Sequence, residues 1–277
     1  MGIYVETRIH GSLEELWEKT QTPEWHERWD ARFTSITCLP RAEESEPQRF
    51  EYTTRLGFGL GIKGAGETVG SRDETTGRRT SSLRFWSDDA KSLIREGAGY
   101  WQYTPLEDGV RFVTGYDYQT RFGWLGRTFD RFVFRPLMGW ATAWSFDRLR
   151  LWIEQDIDPA VSMQRSLIHG LARMTVAFVW IYQGLIPKLI ARHTDELAML
   201  ADAGVAASVA PAFLIIAGMA EVVLGATVLI CFHRRWPLVL TVLLMLLATI
   251  GVAISSPQYL SAAFNPVSLN LLLAVVA

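Results

Sequence analysis

The sequence predicts an α+β domain, in which an antiparallel sheet wraps a long C-terminal helix, followed by an all-α four-helix transmembrane bundle. The first observation is a split in composition: residues 1–159 carry about 46 charged residues and are about 37% apolar, whereas residues 160–277 carry about 10 and are about 65% apolar. The second observation is a change in apolar spacing, from alternation to long unbroken runs. We place the two domains at 1–157 and 165–277.

The elements of the first part follow in the order strand, two helices, six strands and a long helix. Residues 3–9 alternate and predict a strand, Ser12 and Glu15 have the spacing of a capping box, and Pro23 is typical of a helix's first turn. Segments rich in Thr, Val and aromatic residues predict six strands, at 31–39, 49–58, 61–70, 78–87, 92–104 and 109–121. An amphipathic pattern predicts the long helix at 126–155.

Aromatic side chains line the predicted sheet and helix. With a period of two, Phe112, Tyr116 and Tyr118 share one face of their strand, opposite Arg111 and Asp117. The apolar side of the long helix comprises Phe129, Phe132, Val133, Leu137, Trp140, Trp144, Leu149 and Trp152. Such residues more often form a core, but a gap this rich in aromatics suits a flat or acyl ligand. The candidate ligand-binding residues are Tyr52, Phe112, Tyr116, Tyr118, Trp101 and Trp140.

Three segments of the second part are long and apolar enough to cross a bilayer, which takes about 20 residues. They lie at 171–190, 209–232 and 236–254. The third is apolar all round, whereas a surface helix of a soluble protein keeps a polar face. A fourth run, 267–277, spans only about half a bilayer, and we expect that this helix continues beyond the last residue given.

The distribution of basic residues predicts the orientation in the membrane. Arg165 and Arg173 precede or begin the first segment, and residues 233–235 are basic and lie between the second and third. By the positive-inside rule these ends, and with them the N-terminal domain, lie in the cytoplasm. We therefore predict a multi-pass protein of the inner (plasma) membrane. Arg173 is expected to be an interfacial anchor, and Lys188, near the opposite end, is expected to extend toward the headgroups.

Glu221 is a candidate functional residue because a carboxylate near the middle of a membrane segment costs a few kcal/mol. Gly218 and Gly225 lie on the same helix face and allow another helix to approach. We expect a neutral Glu221 that forms a hydrogen bond to Trp180 or Gln183 of the first segment. Two interpretations stay open: a clamp between helices, and a proton or quinone site. The intramembrane polar candidates are Glu221, Trp180, Gln183 and Asn270.

The remaining polar residues predict no catalytic or metal site. His26 stands between two tryptophans and is expected at the surface. His193, Asp195 and Glu196 fall on a short polar loop and make only a weak metal motif. The two cysteines are far apart, which excludes a disulfide scaffold. The net charge of −2, without a basic block, excludes nucleic acid as a partner. We predict no cofactor.

The order of elements over about 1–155 resembles the helix-grip fold of the SRPBCC (START/Bet v 1-like) superfamily. The resemblance rests on Val5-Glu-Thr-Arg-Ile-His-Gly-Ser-Leu-Glu-Glu-Leu-Trp17, on Pro23-Glu-Trp-His-Glu-Arg-Trp-Asp30 and on the terminal helix. It implies a hydrophobic ligand between sheet and helix.

The second part, over about 165–277, looks like the DoxX-like family of four-helix membrane proteins. The residues are Phe178-Val-Trp-Ile-Tyr-Gln-Gly-Leu-Ile-Pro-Lys-Leu189, His193-Thr-Asp-Glu-Leu-Ala-Met-Leu200, Gly218-Met-Ala-Glu-Val-Val-Leu-Gly225 and the segment 264–270. The abrupt end of the fourth helix departs from the family pattern. Better-known DoxX relatives associate with quinone-linked or redox membrane complexes, but the DoxX-like branch has no agreed activity.

Together these patterns predict a membrane-anchored binding protein whose cytoplasmic domain holds a hydrophobic small molecule or lipid. Its expected partners are the lipid bilayer, that small molecule, and a protein partner or a second copy of the chain. One alternative is a subunit of a redox or quinone-linked membrane complex that uses Glu221. Another is a module that recruits a protein and binds no ligand. Whether the chain is an enzyme stays open, with a binding role favoured.

Overall fold

The computed structural model describes residues 2–41, 43, 46–57, 59–73, 75, 77–262 and 265–277. The chain divides into two compact units, Met1–Gln164 and Arg165–Ala277. The first unit contains, in order, β1 (Ile3–Ile9), α1 (Leu13–Gln21), α2 (Pro23–Trp29), β2 (Ser35–Cys38), β3 (Arg49–Gly57), β4 (Leu60–Asp73), β5 (Arg79–Trp86), β6 (Ile94–Leu106), β7 (Gly109–Thr120), α3 (Gly123–Phe129), a π-helical turn (Asp130–Phe134) and α4 (Arg135–Gln155). The predicted order of strands and helices is confirmed.

The seven strands form one antiparallel sheet in the order β1-β7-β6-β5-β4-β3-β2. The first strand therefore pairs with the last, and Ile3 lies opposite Tyr116. Strand β2 is shorter than the predicted 31–39. The reason is local: Asp30 accepts hydrogen bonds from the backbone N–H and the guanidinium of Arg32, which holds the residues before β2 in a turn.

The second half of α4 packs on one side of this sheet, called here the inner face. The rings of Phe112 on β7 and Phe146 on α4 stack at a centroid distance of 4.4 Å. Helices α1 and α2 pack on the same side and bury Leu16 and Trp29 completely. The resulting core consists of Ile9, Leu16, Trp29, Trp101, Tyr103, Val110, Phe112, Phe146, Leu149 and Trp152.

The long helix predicted at 126–155 is divided by the π-helical turn Asp130–Phe134. A π turn changes the angular spacing of side chains, so one apolar side cannot continue through it. Leu149 and Trp152 are buried in the core. The prediction that one apolar side continues along the whole helix is wrong. The residues of that side in the first part of the helix are exposed, namely Phe129, Phe132, Val133, Leu137 and Trp140.

The second unit, together with the end of the first, is helical. Its elements are α5 (Pro159–Gln183), a π-helical segment (Gly184–Ile190), α6 (Thr194–Asp202), α7 (Ala210–Ile230), α8 (Trp236–Ser255), a 3₁₀ turn (Pro257–Leu260) and α9 (Pro266–Val276). Helix α5 begins well before the predicted start at 171. Helix α6 corrects the prediction of a short polar loop around Asp195 and Glu196; the side chain of His193 accepts a hydrogen bond at its start.

Two helices, α7 and α8, are long and apolar enough to cross a membrane. The helical stretch Pro159–Ile190 and helix α6 are bent by 93° relative to each other. If these two are counted together as one broken span, the number of spans rises to three. Helix α9 is apolar but has only 11 residues. The described residues thus give two clear spans, and up to three, where the sequence predicted a bundle of four.

Arg173 is buried within the second unit, so its predicted role as an interfacial anchor is wrong. Its guanidinium donates to the carbonyl oxygens of Val228, at 3.0 Å, and Cys231, at 3.2 Å, and also to that of Arg234. The last carbonyls of a helix have no partner within the helix, and a cation satisfies them well. Arg173 on α5 therefore caps the C-terminus of α7.

Candidate functional site

The inner face of the sheet divides into a covered and an uncovered part. Trp101 and Phe112, two of the predicted ligand-binding residues, are buried under the helices and belong to the core. Tyr52 and Tyr116 lie on the same face but keep partial exposure. Trp140 is exposed and stacks on Trp144 at 5.2 Å, away from that core. The structure thus separates residues that the sequence grouped into one lining.

Three aromatic rings lie directly on glycines of the uncovered part, and we call Phe50, Tyr52 and Phe85 the ring layer. A methyl group placed on Gly64 would lie 2.3 Å from Tyr52 Cζ. The same holds at Gly66 beneath Phe50, at 2.5 Å, and at Gly97 beneath Phe85, at 2.4 Å. Because glycine has no side chain, the rings lie close to the backbone and leave a broad aromatic surface above the strands.

A buried polar network borders this surface. The Arg32 guanidinium pairs with both carboxylate oxygens of Asp30, at 2.9 and 2.6 Å, and donates to Thr142 Oγ1 at 3.1 Å. Thr142 Oγ1 also shares a hydrogen bond of 2.9 Å with the hydroxyl of Tyr116. The network therefore joins the loop after α2 to α4 and to β7.

His26 belongs to the same network, which corrects its predicted place at the surface. Its Nε2 lies 3.1 Å from Asp30 Oδ2, and only 13% of its side chain is exposed. Its ring stacks on Trp29 and meets the edges of Phe33 and Trp101. The sequence contained one signal for this contact: His26 and Asp30 have i, i+4 spacing, which makes two residues neighbours on one face of a helix.

The electrostatics of the network favour the ionised carboxylate. Burial by itself would raise the pKa of Asp30, but the paired Arg32 guanidinium and the hydrogen bond with His26 hold that pKa well below the ordinary range of a carboxyl group. Burial also raises the pKa of Tyr52 to about 12. Near neutral pH the network therefore presents a charged pair, and the nearby Tyr52 hydroxyl is neutral.

Tyr118, another predicted ligand-binding residue, anchors the π-helical turn. It is buried, and its hydroxyl donates to Asp130 Oδ1 at 2.6 Å. Arg135 Nε donates to the other oxygen of Asp130 at 2.8 Å. Burial and the hydrogen bond to the Asp130 carboxylate raise the pKa of Tyr118. This tyrosine thus has a positioning contact of its own rather than a free hydroxyl.

A concavity of about 610 Å³ lies along β4 to β7 and differs from the predicted apolar cavity. Four charged side chains line it: Glu67, Arg84, Glu96 and Asp117. By strand alternation they lie on the face opposite the ring layer.

In the second unit, glycines bring α7 against the π-helical segment after α5. A methyl group on Gly184 would lie 2.5 Å from the Gly218 carbonyl oxygen, and one on Gly225 would lie 2.8 Å from that of Ala177. The predicted close approach at Gly218 and Gly225 is therefore confirmed. Small residues at a helix crossing allow such backbone contact.

Glu221 lies beside this crossing and pairs with a lysine. Lys188 Nζ is 3.2 Å from Glu221 Oε2 and also 3.2 Å from Glu196 Oε1. The predicted extension of Lys188 toward the headgroups is wrong, since only 13% of its side chain is exposed. The two carboxylates compensate the charge of the ammonium group inside this unit.

The predicted hydrogen bonds from Trp180 or Gln183 to Glu221 are not formed; the contact of Glu221 with the first segment is made by Lys188. Trp180 Nε1 instead donates to Thr241 Oγ1 on α8 at 3.0 Å, because the indole faces the core between α5, α7 and α8. Gln183 and Asn270 are partly buried and form no side-chain hydrogen bond within the described part of the chain. The geometry fits the clamp interpretation of Glu221, with Lys188 as its partner; the proton or quinone interpretation stays a prediction.

Comparison with known proteins identifies a family model and a relative that match this chain. A model of the DoxX-like family matches residues 177–277. The membrane protein YndG of Bacillus subtilis is 43% identical over 235 residues, which is 84% of this chain and 79% of YndG. The chain belongs to the YndG family. A match of this length is longer than either unit, so the similarity to YndG extends over parts of both.

Solved structures resemble the sheet domain of this YndG-family protein. TTHA0849 from Thermus thermophilus is 18% identical, covers 55% of this chain and 97% of its own, and has a TM-score of 0.43. A STAR-related lipid transfer protein from Xanthomonas axonopodis is 14% identical, with coverages of 55% and 85% and a TM-score of 0.41. The fold described above rests on its own strand order and register.

We predict that Asp30→Asn lowers the free energy of unfolding by about 3–5 kcal/mol, because it leaves the buried Arg32 guanidinium without its counter-ion. Urea unfolding of the full-length protein in detergent, followed by tryptophan fluorescence, measures the effect. The matched control is Asp147→Asn, an exposed partner of Arg150, with an expected loss below about 1 kcal/mol. Equal losses in the two variants would contradict the prediction.

The pH dependence of this difference follows from the lowered pKa of Asp30. A carboxyl group whose pKa falls on folding stabilises the protein fully above its unfolded pKa of about 4, and this contribution is lost as the pH falls further. The difference in unfolding free energy between wild type and Asp30→Asn should therefore be constant between a pH of about 6 and about 8. It should shrink in more acidic buffer, and the same urea titrations measure it.

We predict that Lys188 and Glu221 are energetically coupled. Lys188→Met should lower thermal stability because it leaves Glu221 and Glu196 without their cation, and Glu221→Leu should lower it less because Lys188 keeps Glu196 as a partner. The double variant should recover about 0.5–3 kcal/mol of the summed loss. Thermal unfolding in detergent measures this cycle. The control cycle combines Lys188→Met with Asp195→Leu. The Asp195 side chain is 60% exposed, so the losses of stability in this cycle should be additive. Additive losses for Lys188 and Glu221 would exclude the pair.

Proposed function

We propose that this YndG-family protein binds an apolar molecule with a polar end on the inner face of its sheet domain, while the DoxX-like region holds it in the membrane. The observation that carries the proposal is the partly exposed ring layer beside a buried arginine. A solvated sheet face would normally carry polar side chains at these positions. Phe50, Tyr52 and Phe85 instead keep apolar surface accessible.

The ring layer favours a flat or chain-like apolar group. Aromatic rings contribute large apolar area and stack with planar partners at centroid distances of about 4.5–7 Å. The glycines beneath Phe50, Tyr52 and Phe85 keep these rings close to the strands, so the surface above them is broad rather than a narrow channel. Leu83 lies on the same face, opposite Gly99, and extends the apolar area along β5.

The network supplies recognition of a polar end. A guanidinium group has five N–H donors, and Arg32 directs one to each Asp30 oxygen and one to Thr142. Donors remain for a carboxylate or another acceptor, and the hydroxyl of Tyr116 lies on the same side. Arg32 is fixed by Asp30 before any ligand arrives, which lowers the entropic cost of binding.

We predict that Leu83→Trp displaces the bound molecule, because the larger side chain occupies the space above the ring layer. Native mass spectrometry of the detergent-purified full-length protein, followed by extraction and identification of small molecules, measures occupancy. Wild type should carry a co-purified apolar molecule, and the variant about tenfold less, equivalent to about 1.4 kcal/mol of binding free energy.

The matched control for this experiment is Val69→Trp, at an exposed position of β4, which should keep wild-type occupancy. Equal occupancy in both variants would place the molecule elsewhere on the chain. A wild-type protein without any bound molecule, purified in several detergents, would favour recruitment of a protein partner instead.

We further propose that the sheet domain lies in the cytoplasm, because Arg165 lies in the first part of α5 and the basic residues 233–235 follow α7. A reporter inserted after Asp158 should be active as a cytoplasmic fusion, and one inserted at Ala201, at the end of α6, as an exported fusion. The reverse pattern of reporter activity would overturn this orientation.

A further inference from the structure

An exposed apolar surface extends from the end of β7 into α4. We call it the aromatic surface, and it consists of Phe122, Trp124, Leu125, Phe129, Phe132, Val133, Leu137 and Trp140. Phe132 is 71% exposed and Trp124 is 68% exposed. Soluble proteins rarely expose contiguous apolar patches of this kind unless the patch contacts a partner or a membrane. None of these eight residues belongs to the inner-face site.

The aromatic surface is held in a fixed shape from below. Asp130 is 5% exposed and lies within the π-helical turn that carries the surface. Its two oxygens accept hydrogen bonds from the Tyr118 hydroxyl and the Arg135 guanidinium. The turn is thereby anchored to β7, and the exposed apolar side chains of α3, of the turn and of the first turns of α4 are directed away from the sheet. The surface exists before any partner arrives.

Within residues 122–140 the exposed charges have one sign, and the exposed Asp117 outside this stretch is paired with Arg135. Arg127 and Arg131 are exposed on the same stretch, whereas Asp130, the acidic residue between 122 and 140, is buried and paired. Exposed charge over these residues is therefore positive. Aromatic residues combined with arginines are typical of helices that lie in the interface of an anionic bilayer, with apolar side chains among the acyl chains and cations at the headgroups.

We propose that the aromatic surface inserts into the headgroup region of an anionic lipid bilayer. The bilayer is favoured over a protein partner because the chain already carries two membrane-spanning candidates, α7 and α8. The surface ends at Trp140, and α5 begins at Pro159 of the same chain. The surface therefore belongs to a chain that is itself held at a bilayer. Trp124 and Trp140 lie near its two ends, and tryptophan prefers the membrane–water interface.

Site-directed spin labelling of the full-length protein tests the proposal. In a cysteine-free chain, with Cys38→Ser and Cys231→Ala, single labels are placed by Phe132→Cys, Arg72→Cys and Val239→Cys. Arg72 is exposed at the end of β4 and serves as the aqueous reference; Val239 is exposed on the apolar helix α8 and serves as the lipid reference. The proteins are reconstituted into vesicles of phosphatidylcholine and phosphatidylglycerol.

Each label is then measured for collisions with oxygen, which concentrates in lipid, and with a water-soluble nickel chelate. The label at 132 should favour oxygen over nickel about threefold or more relative to the label at 72, and approach the label at 239. Adding Arg127→Glu and Arg131→Glu should reduce this preference in the anionic vesicles. Because both arginines are exposed, their substitution leaves the core intact.

Three results would contradict the proposal. Nickel access at 132 equal to that at 72 would show that the surface stays in water. Exclusion of both reagents at 132 would show that protein covers it, either another part of this chain, a second copy or a different partner. An oxygen preference that the two glutamate substitutions leave unchanged would remove the requirement for anionic lipid.

Discussion

The packing of α4 on the inner face is the constraint on which the first unit depends. Phe146 stacks on Phe112, and both are almost completely buried. This contact fixes where the helix crosses the sheet, and so which strands it covers. The inner face of the strands nearest β1 is covered from solvent, whereas the rings on β3 and β5 stay partly exposed. A buried aromatic pair of this size contributes several kcal/mol through the area it removes from water.

The same helix also connects the features that surround the core. Thr142 and Ser145 precede Phe146 within one helical turn and contribute to the network around Asp30, so the polar pair is held by the element that covers the core. Earlier in the chain, the π-helical turn changes the angular spacing of the side chains. Apolar residues that regular α-helical spacing would place on the buried side are therefore exposed. One stretch of sequence thus provides core, polar boundary and outer surface, and a change of register at Asp130 would alter all three.

Local sequence patterns predicted most of the secondary structure of the first unit. The capping box at Ser12 is present, with Glu15 N–H donating to Ser12 Oγ at 3.1 Å. Alternation, together with segments rich in Thr, Val and aromatic residues, located all seven strands. The candidate site was predictable only in part, because its polar network joins the loop after α2 to residues of α4 more than a hundred positions later. Sequence spacing cannot show such contacts. Likewise, nothing in the apolar pattern indicated that Lys188 turns inward to Glu221.

The pairing of β1 with β7 has a consequence for the order in which the protein is made. Ile3 leaves the ribosome early, yet its partner Tyr116 follows more than a hundred residues later, and such long-range contacts form slowly. Until then β1 has an open edge, which is a hazard for aggregation. Helix α4 follows, and the apolar residues of α5 emerge directly after it. Completion of the sheet and entry of the next helices into the membrane are therefore close in time, so slow sheet closure would leave an unfinished domain beside an inserting helix.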